Sequence, residues 1–155
     1  MQRQNRSGAK RNTALREPKG LGISTRGWLR FKKGDCCSTP EGRKPPYIYN
    51  PPRVTIDPSG DWVSVDVTCD HKCGIASVKW WLFIDAGTAG QWSRQIEHTY
   101  PTAPKSVVVE DKFGAGEAYK LPINLRGHSF SGYLVATSKC KTEASSEIFS
   151  VTLRK

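Results

Sequence analysis

The chain has 155 residues, room for one domain and a tail, and only 37% of them are hydrophobic, against a usual range of about 45–50%. Its formal charge of +10 is unevenly placed: residues 1–52 hold twelve Lys/Arg against Glu17, Asp35 and Glu41 (+9), and residues 53–155 hold twelve against eleven acids (+1). No run is long and apolar enough for a membrane-spanning helix, and no apolar segment of signal-peptide type follows the start, which argues against a helical membrane protein and against ordinary secretion.

Residues 1–33 read as a basic flexible arm. Residues 1–27 mix Arg, Lys, Asn, Gln, Ser and Gly with little to bury, so nothing offsets the entropy of ordering them before a partner is met. A charge cluster of this kind attracts polyanions through counterion release, whatever their base sequence. The expected nucleic-acid contacts are Arg3, Arg6, Lys10, Arg11, Arg16, Lys19, Arg26, Arg30, Lys32 and Lys33, with Trp28 and Phe31 as stacking residues. A mitochondrial presequence would share the arginines but wants periodic Leu or Phe, and the first twenty residues offer only Leu15. The arm also lacks the amphipathic stretch or lipidation signal that would favour a membrane partner.

Residues 34–52 carry Pro45-Pro46 and Pro51-Pro52, which fix φ and disfavour helix, so an extended Pro-rich connector is expected. From Arg53 the pattern changes to short β-rich runs separated by Gly, Pro, Asp and Ser. The expected strands are Arg53–Ile56, Trp62–Cys69, Ser77–Asp85, Gln91–His98, Ser106–Asp111, Tyr119–Asn124, Gly132–Lys139 and Glu147–Leu153. Alternation assigns faces in several of them. Val63, Val65, Val67 and Cys69 oppose Trp62, Ser64, Asp66 and Thr68; Val78, Trp80, Leu82 and Ile84 oppose Lys79, Trp81, Phe83 and Asp85. No helical stripe of useful length occurs. The fold class expected for residues 53–155 is therefore all-β, an antiparallel two-sheet β-sandwich, immunoglobulin-like in preference to a small jelly roll.

Chemistry-bearing motifs are scarce. An odd set of cysteines (Cys36, Cys37, Cys69, Cys73, Cys140) without a secretion signal argues against a disulfide framework. Cys69, His71 and Cys73 are weak zinc candidates, with Cys36 or Cys37 as a further ligand, but their spacing suits ordinary loop thiols better; no metal and no cofactor is expected. No P-loop, HExxH, EF-hand loop or nucleophile elbow is present, and Glu110-Asp111 reads as an exposed acidic turn, so the chain is not expected to be an enzyme. Trp80-Trp81 is the most informative pair. On a strand one ring faces the core and the other faces outward, and the outward ring, extended by Trp92, is the expected interface.

The run Ser131-Gly132-Tyr133-Leu134-Val135-Ala136-Thr137 resembles the F strand of immunoglobulin and fibronectin type III domains. Leu125 lies eight positions before Tyr133, where it would share the corner, and Trp80 lies thirteen after Val67, near the spacing of those families. The resemblance implies that Val67 and Val135 stand where true immunoglobulin domains carry bridging cysteines. The overall layout, a basic arm on a β-sandwich, is similar to coat proteins of small icosahedral RNA viruses, and the domain size is nearer to accessory or decoration proteins of virions. These resemblances imply a viral structural protein located in the virion, whose arm binds nucleic acid, RNA in preference, and whose sandwich contacts itself or another structural protein. The alternatives are a regulatory nucleic-acid-binding protein of movement or silencing-suppressor type, or a cellular interaction module with a basic nuclear-targeting tail; either would be cytoplasmic or nuclear.

Overall fold

The computed structural model describes residues 35–155; the arm and all its candidate nucleic-acid contacts, Arg3 to Lys33, lie outside the described residues. The chain divides into two units, Met1–Ser38 and Thr39–Lys155. In the described part of the first, Asp35 starts a single 3-10 turn, Cys36–Ser38. Its carboxylate accepts the Cys37 amide at 3.0 Å, and its carbonyl accepts the Ser38 hydroxyl at 2.7 Å.

The second unit, Thr39–Lys155, opens with a four-residue helix, α1 (Pro40–Arg43). Thr39 caps it by accepting the Gly42 amide at 3.0 Å, and Pro40 sits where its missing N–H is not needed. Pro45 and Pro46 then prevent continuation. The segment expected as an extended connector thus holds a helical turn and a short strand, β1 (Tyr47–Ile48).

β1 and β2 (Arg53–Ile56) share one edge of β3 (Trp62–Asp70), and β6 (Ser106–Gly114) pairs along its other edge. The larger sheet runs β5 (Trp92–Thr99), β4 (Ile75–Ile84) and β7 (Ser129–Ser138), with β8 (Glu143–Ser145) and β9 (Phe149–Thr152) dividing the far edge of β7. Every one of these pairings is antiparallel, and the fold is an all-β two-sheet sandwich.

The core lies between the sheets. Val63, Val65, Val67 and Cys69 face Val78, Trp80, Leu82 and Ile84, with Phe113, Phe130, Leu134 and Phe149 filling the remainder. Gly132 is a close-approach position, since a Cβ there would lie 2.4 Å from the Trp81 carbonyl oxygen and 3.1 Å from the Phe149 ring. At the β5/β6 margin, His98 Nε2 meets both oxygens of the buried Asp111 carboxylate at 2.9 and 3.1 Å, pinning one sheet to the other. An inward charge of this kind also discourages pairing at an edge strand.

Several expectations need correction. Tyr119–Asn124 is not a strand: Tyr119 makes one bridge to Phe113, and Pro122, without an amide hydrogen, cannot extend a ladder. Asp111 is not in an exposed acidic turn, because β6 continues through Gly114 and its alternation turns Asp111 inward. On β7 the inward residues are Phe130, Gly132, Leu134 and Ala136, so Val135 and Tyr133 face out. Val67 is in the core but Val135 is not its counterpart, and Leu125, fully buried, does not share a corner with Tyr133.

The disulfide expectation is also overturned: Cys36, Cys37, Cys73 and Cys140 are disulfide-bonded, and Cys69 is a free, buried thiol. The zinc candidates are engaged elsewhere. Cys69 faces the core, and burial pushes its thiol up to about 12. His71 donates from Nε2 to the Lys44 carbonyl at 2.9 Å and accepts the Cys73 amide on Nδ1 at 3.0 Å. The sulfurs of Cys73 and Cys140 lie within 4.8 Å of each other, but disulfide sulfur supplies no thiolate to a metal.

Candidate functional site: the outer face of the larger sheet

The period of two on β4 sends Ser77, Lys79, Trp81 and Phe83 away from the core. Register then fixes their neighbours. Trp81 lies between Gln95 on β5 and Tyr133 on β7; Lys79 lies between Glu97 and Val135; Phe83 lies between Ser93 and Ser131. β8 adds Glu143 and Ser145 beside Thr137 and Val135. Most of this face is therefore hydroxyl, amide or aromatic, with Lys79, Glu97 and Glu143 as its charges.

Trp81 and Tyr133 are cross-strand neighbours whose rings stack, 6.2 Å between centroids and 9° between planes. The pair makes a ridge at the centre of the face, and Lys79 Nζ lies 5.5 Å from the Trp81 ring centroid. A hollow of about 390 Å³ bordered by Lys79, Glu97, Val135 and Glu143 lies on one side of the ridge. Another of about 370 Å³, bordered by Phe83, Ser93, Arg94 and Gln95, lies on the other. The centre of the face is therefore an aromatic pair with one ammonium group beside it.

The smaller sheet's outer face is different. It carries Arg53, Asp66, Asp70, Glu110 and Lys112, with Arg53 Nε 3.2 Å from Asp66. Tyr47 and Tyr49 stand at its edge, 64% and 50% exposed, and the Tyr49 hydroxyl, bonded to the Asp70 carboxylate, is held above the usual phenol range by that bond. Charge of both signs there favours solvent.

Of the tryptophans named for an interface, the outward member of the Trp80-Trp81 pair with Trp92, the structure brings only Trp81 to this outer face. Trp80 is fully buried. Trp92 sits opposite inward-facing Ile84 and packs against the core, so it does not extend the ridge. Tyr133 supplies the second ring. The F-strand resemblance, by putting Val135 and hence its same-face neighbour Tyr133 inward, hides this ring, whereas counting back from the apolar Leu134 and Ala136 places it outside.

Two histidine–carboxylate pairs test for chemistry of another kind. His128 Nδ1 lies 2.6 Å from Asp85, and with the Ser129 amide it holds the Asp85 carboxyl below the ordinary range. The second is His98–Asp111, beside which burial, reinforced by the Asp111 charge, raises the Tyr100 phenol. Among the described residues neither imidazole hydrogen-bonds to a serine, threonine or cysteine side chain, so neither pair sets up an activated nucleophile.

No protein-family model and no curated protein matches the chain. Among solved structures, the third fibronectin III domain of the human KIAA0343 protein aligns at 7% identity and a TM-score of 0.36, covering 68% of this chain and 80% of that one. The sandwich rests on its own sheets and register. Among the described residues, no helix is long and apolar enough to cross a membrane.

Proposed function

We propose that this chain is a non-enzymatic structural protein of a nucleic-acid-containing particle, a viral coat or capsid-associated protein. Its sandwich docks onto a second copy or another structural protein, and its basic arm neutralises packaged nucleic acid. The observation that carries the docking half is the Trp81–Tyr133 ridge, set in a charge-poor face between two hollows. Rigid aromatic anchors surrounded by small hydroxyl groups supply contact area at low entropic cost. The nucleic-acid half is supported by the segregation of +9 of the +10 charge into residues 1–52.

Four oxidised cysteines favour a virion or another oxidising setting over long residence in reducing cytosol, which weighs against the regulatory and nuclear alternatives. Replacing both ridge residues, Trp81→Ser and Tyr133→Ser, tests the docking half. Sedimentation velocity should show loss of the assembled species with the folded monomer retained; unchanged assembly would remove this face from the interface.

A further inference from the structure

The sandwich is nearly neutral as a whole, but its charge is not evenly divided between its two ends. At the end formed by α1, the β3–β4 turn, the β5–β6 connection and the β7–β8 turn, Arg43, Lys44, Lys72, Lys105, Lys139 and Lys141 are all exposed. The acids at that end are Glu41, Asp70 and Glu143, so six cations meet three carboxylates. The opposite turns, residues 57–61, 85–91 and 115–128, with the chain end, balance Asp57, Asp61, Asp85 and Glu117 against Lys120, Arg126, Arg154 and Lys155.

The loops of the basic end are tied to one another through backbone groups. The Lys44 carbonyl accepts from both His71 Nε2 and the Thr142 hydroxyl, each at 2.9 Å. The His71 amide donates to Lys105 O at 2.8 Å and the Lys139 amide to Gly74 O at 2.9 Å. Gly74 permits this closeness, since its φ is +115° and a Cβ would fall 2.1 Å from the Ala103 carbonyl oxygen. Main-chain atoms, with the His71 imidazole and the Thr142 hydroxyl, do the tying, and the ammonium groups are left outward. Among the described residues, none of the five lysines forms a salt bridge to a carboxylate.

We infer that this end of the sandwich is a second, folded polyanion-binding surface, which grips the phosphate backbone of the nucleic acid alongside the arm. Fixed loops presenting five ammonium groups and a guanidinium, without base-reading side chains among them, suit sequence-independent phosphate contact. The inference rests on the nucleic-acid reading of the arm and extends it: part of the affinity belongs to the domain.

The test uses the full chain, unreduced, and a fluorescent oligouridine of about 16 nucleotides, with affinity read by anisotropy between roughly 50 and 200 mM salt. Each phosphate contact on a single strand adds about 0.7 to the slope of log affinity against log salt, so Lys72→Ala/Lys139→Ala/Lys141→Ala should make the slope shallower by about 2. The matched variant at the other end, Lys120→Ala/Arg126→Ala/Lys155→Ala, should keep the parent slope. Equal losses in both would reduce the effect to net charge and overturn the proposal. A parent slope in the basic-end variant would overturn it too, while Arg3→Ala/Arg6→Ala/Arg11→Ala reports separately on the arm. If the arm variant loses slope and the basic-end variant does not, the arm reading stands alone; if neither loses slope, both fail. Thermal melting of each variant checks that the sandwich is intact.

Discussion

Adjacent tryptophans on β4 give opposed expectations, and that opposition makes a sharp test of the fold. Trp80 is fully buried, with Ile96 and Leu134 across from it on the neighbouring strands and Phe149 edge-on at 6.0 Å. Trp80→Ala should cost about 3–5 kcal/mol, the range for emptying a large core site. For a domain of this size that corresponds to a fall in melting temperature of roughly 10–20 °C. Trp80→Phe should cost less than the alanine change. It opens a smaller cavity and also deletes the indole N–H, which is buried without a hydrogen-bond partner among the described residues and carries a penalty of about 1–3 kcal/mol. Trp81→Ala removes a ring stacked on Tyr133 at the surface and should cost only about 1–2 kcal/mol. Urea unfolding followed by far-ultraviolet circular dichroism, with the disulfides intact, measures all three. The reverse order, Trp81→Ala costing more than Trp80→Ala, would mean that β4 is slipped by one residue and would refute the assigned faces.

Thiol counting should find no reactive cysteine in the native protein, one after denaturation without reductant and five after reduction; a larger count before reduction would contradict the disulfides. Gly132→Ala should destabilise by about 1–3 kcal/mol, because the added methyl meets backbone at 2.4 Å, and an unchanged urea midpoint would show that the sheet yields there. Asp85 is ionised more readily folded than unfolded, so its contribution is present above the unfolded pKa and lost as pH falls through the lower folded one. The gap in urea midpoint between wild type and Asp85→Asn should therefore close in strong acid; a gap that widens with acid would reverse the sign of the linkage.

How much of this was legible in the sequence depends on the strength of each local pattern. β3 and β4 alternate so regularly that their inward faces follow from residue order, since one side of each must be buried. β1 and β8, at two and three residues, are too short to show a period and exist because neighbouring long strands offer a partner edge. Tyr119–Asn124 has strand-like composition, but Pro122 prevents a ladder there. The disulfides were hidden by the odd cysteine count. The same alternation that puts Cys69 with Val63, Val65 and Val67 removes it from that count and leaves an even four. Half of the aromatic ridge is readable from Trp80-Trp81, whereas Tyr133 enters only through the pairing of β4 with β7. The basic end depends wholly on which loops converge, information carried by topology and not by any run of residues.

In the proposed function the sandwich assembles and the arm recruits nucleic acid. Light scattering coupled to size-exclusion chromatography on the full-length, unreduced protein, with and without RNA at low and high salt, tests it most directly. Particles of defined mass should form with RNA, and their nucleic-acid content should fall as salt rises. A monomer of unchanged mass under every condition would contradict that function.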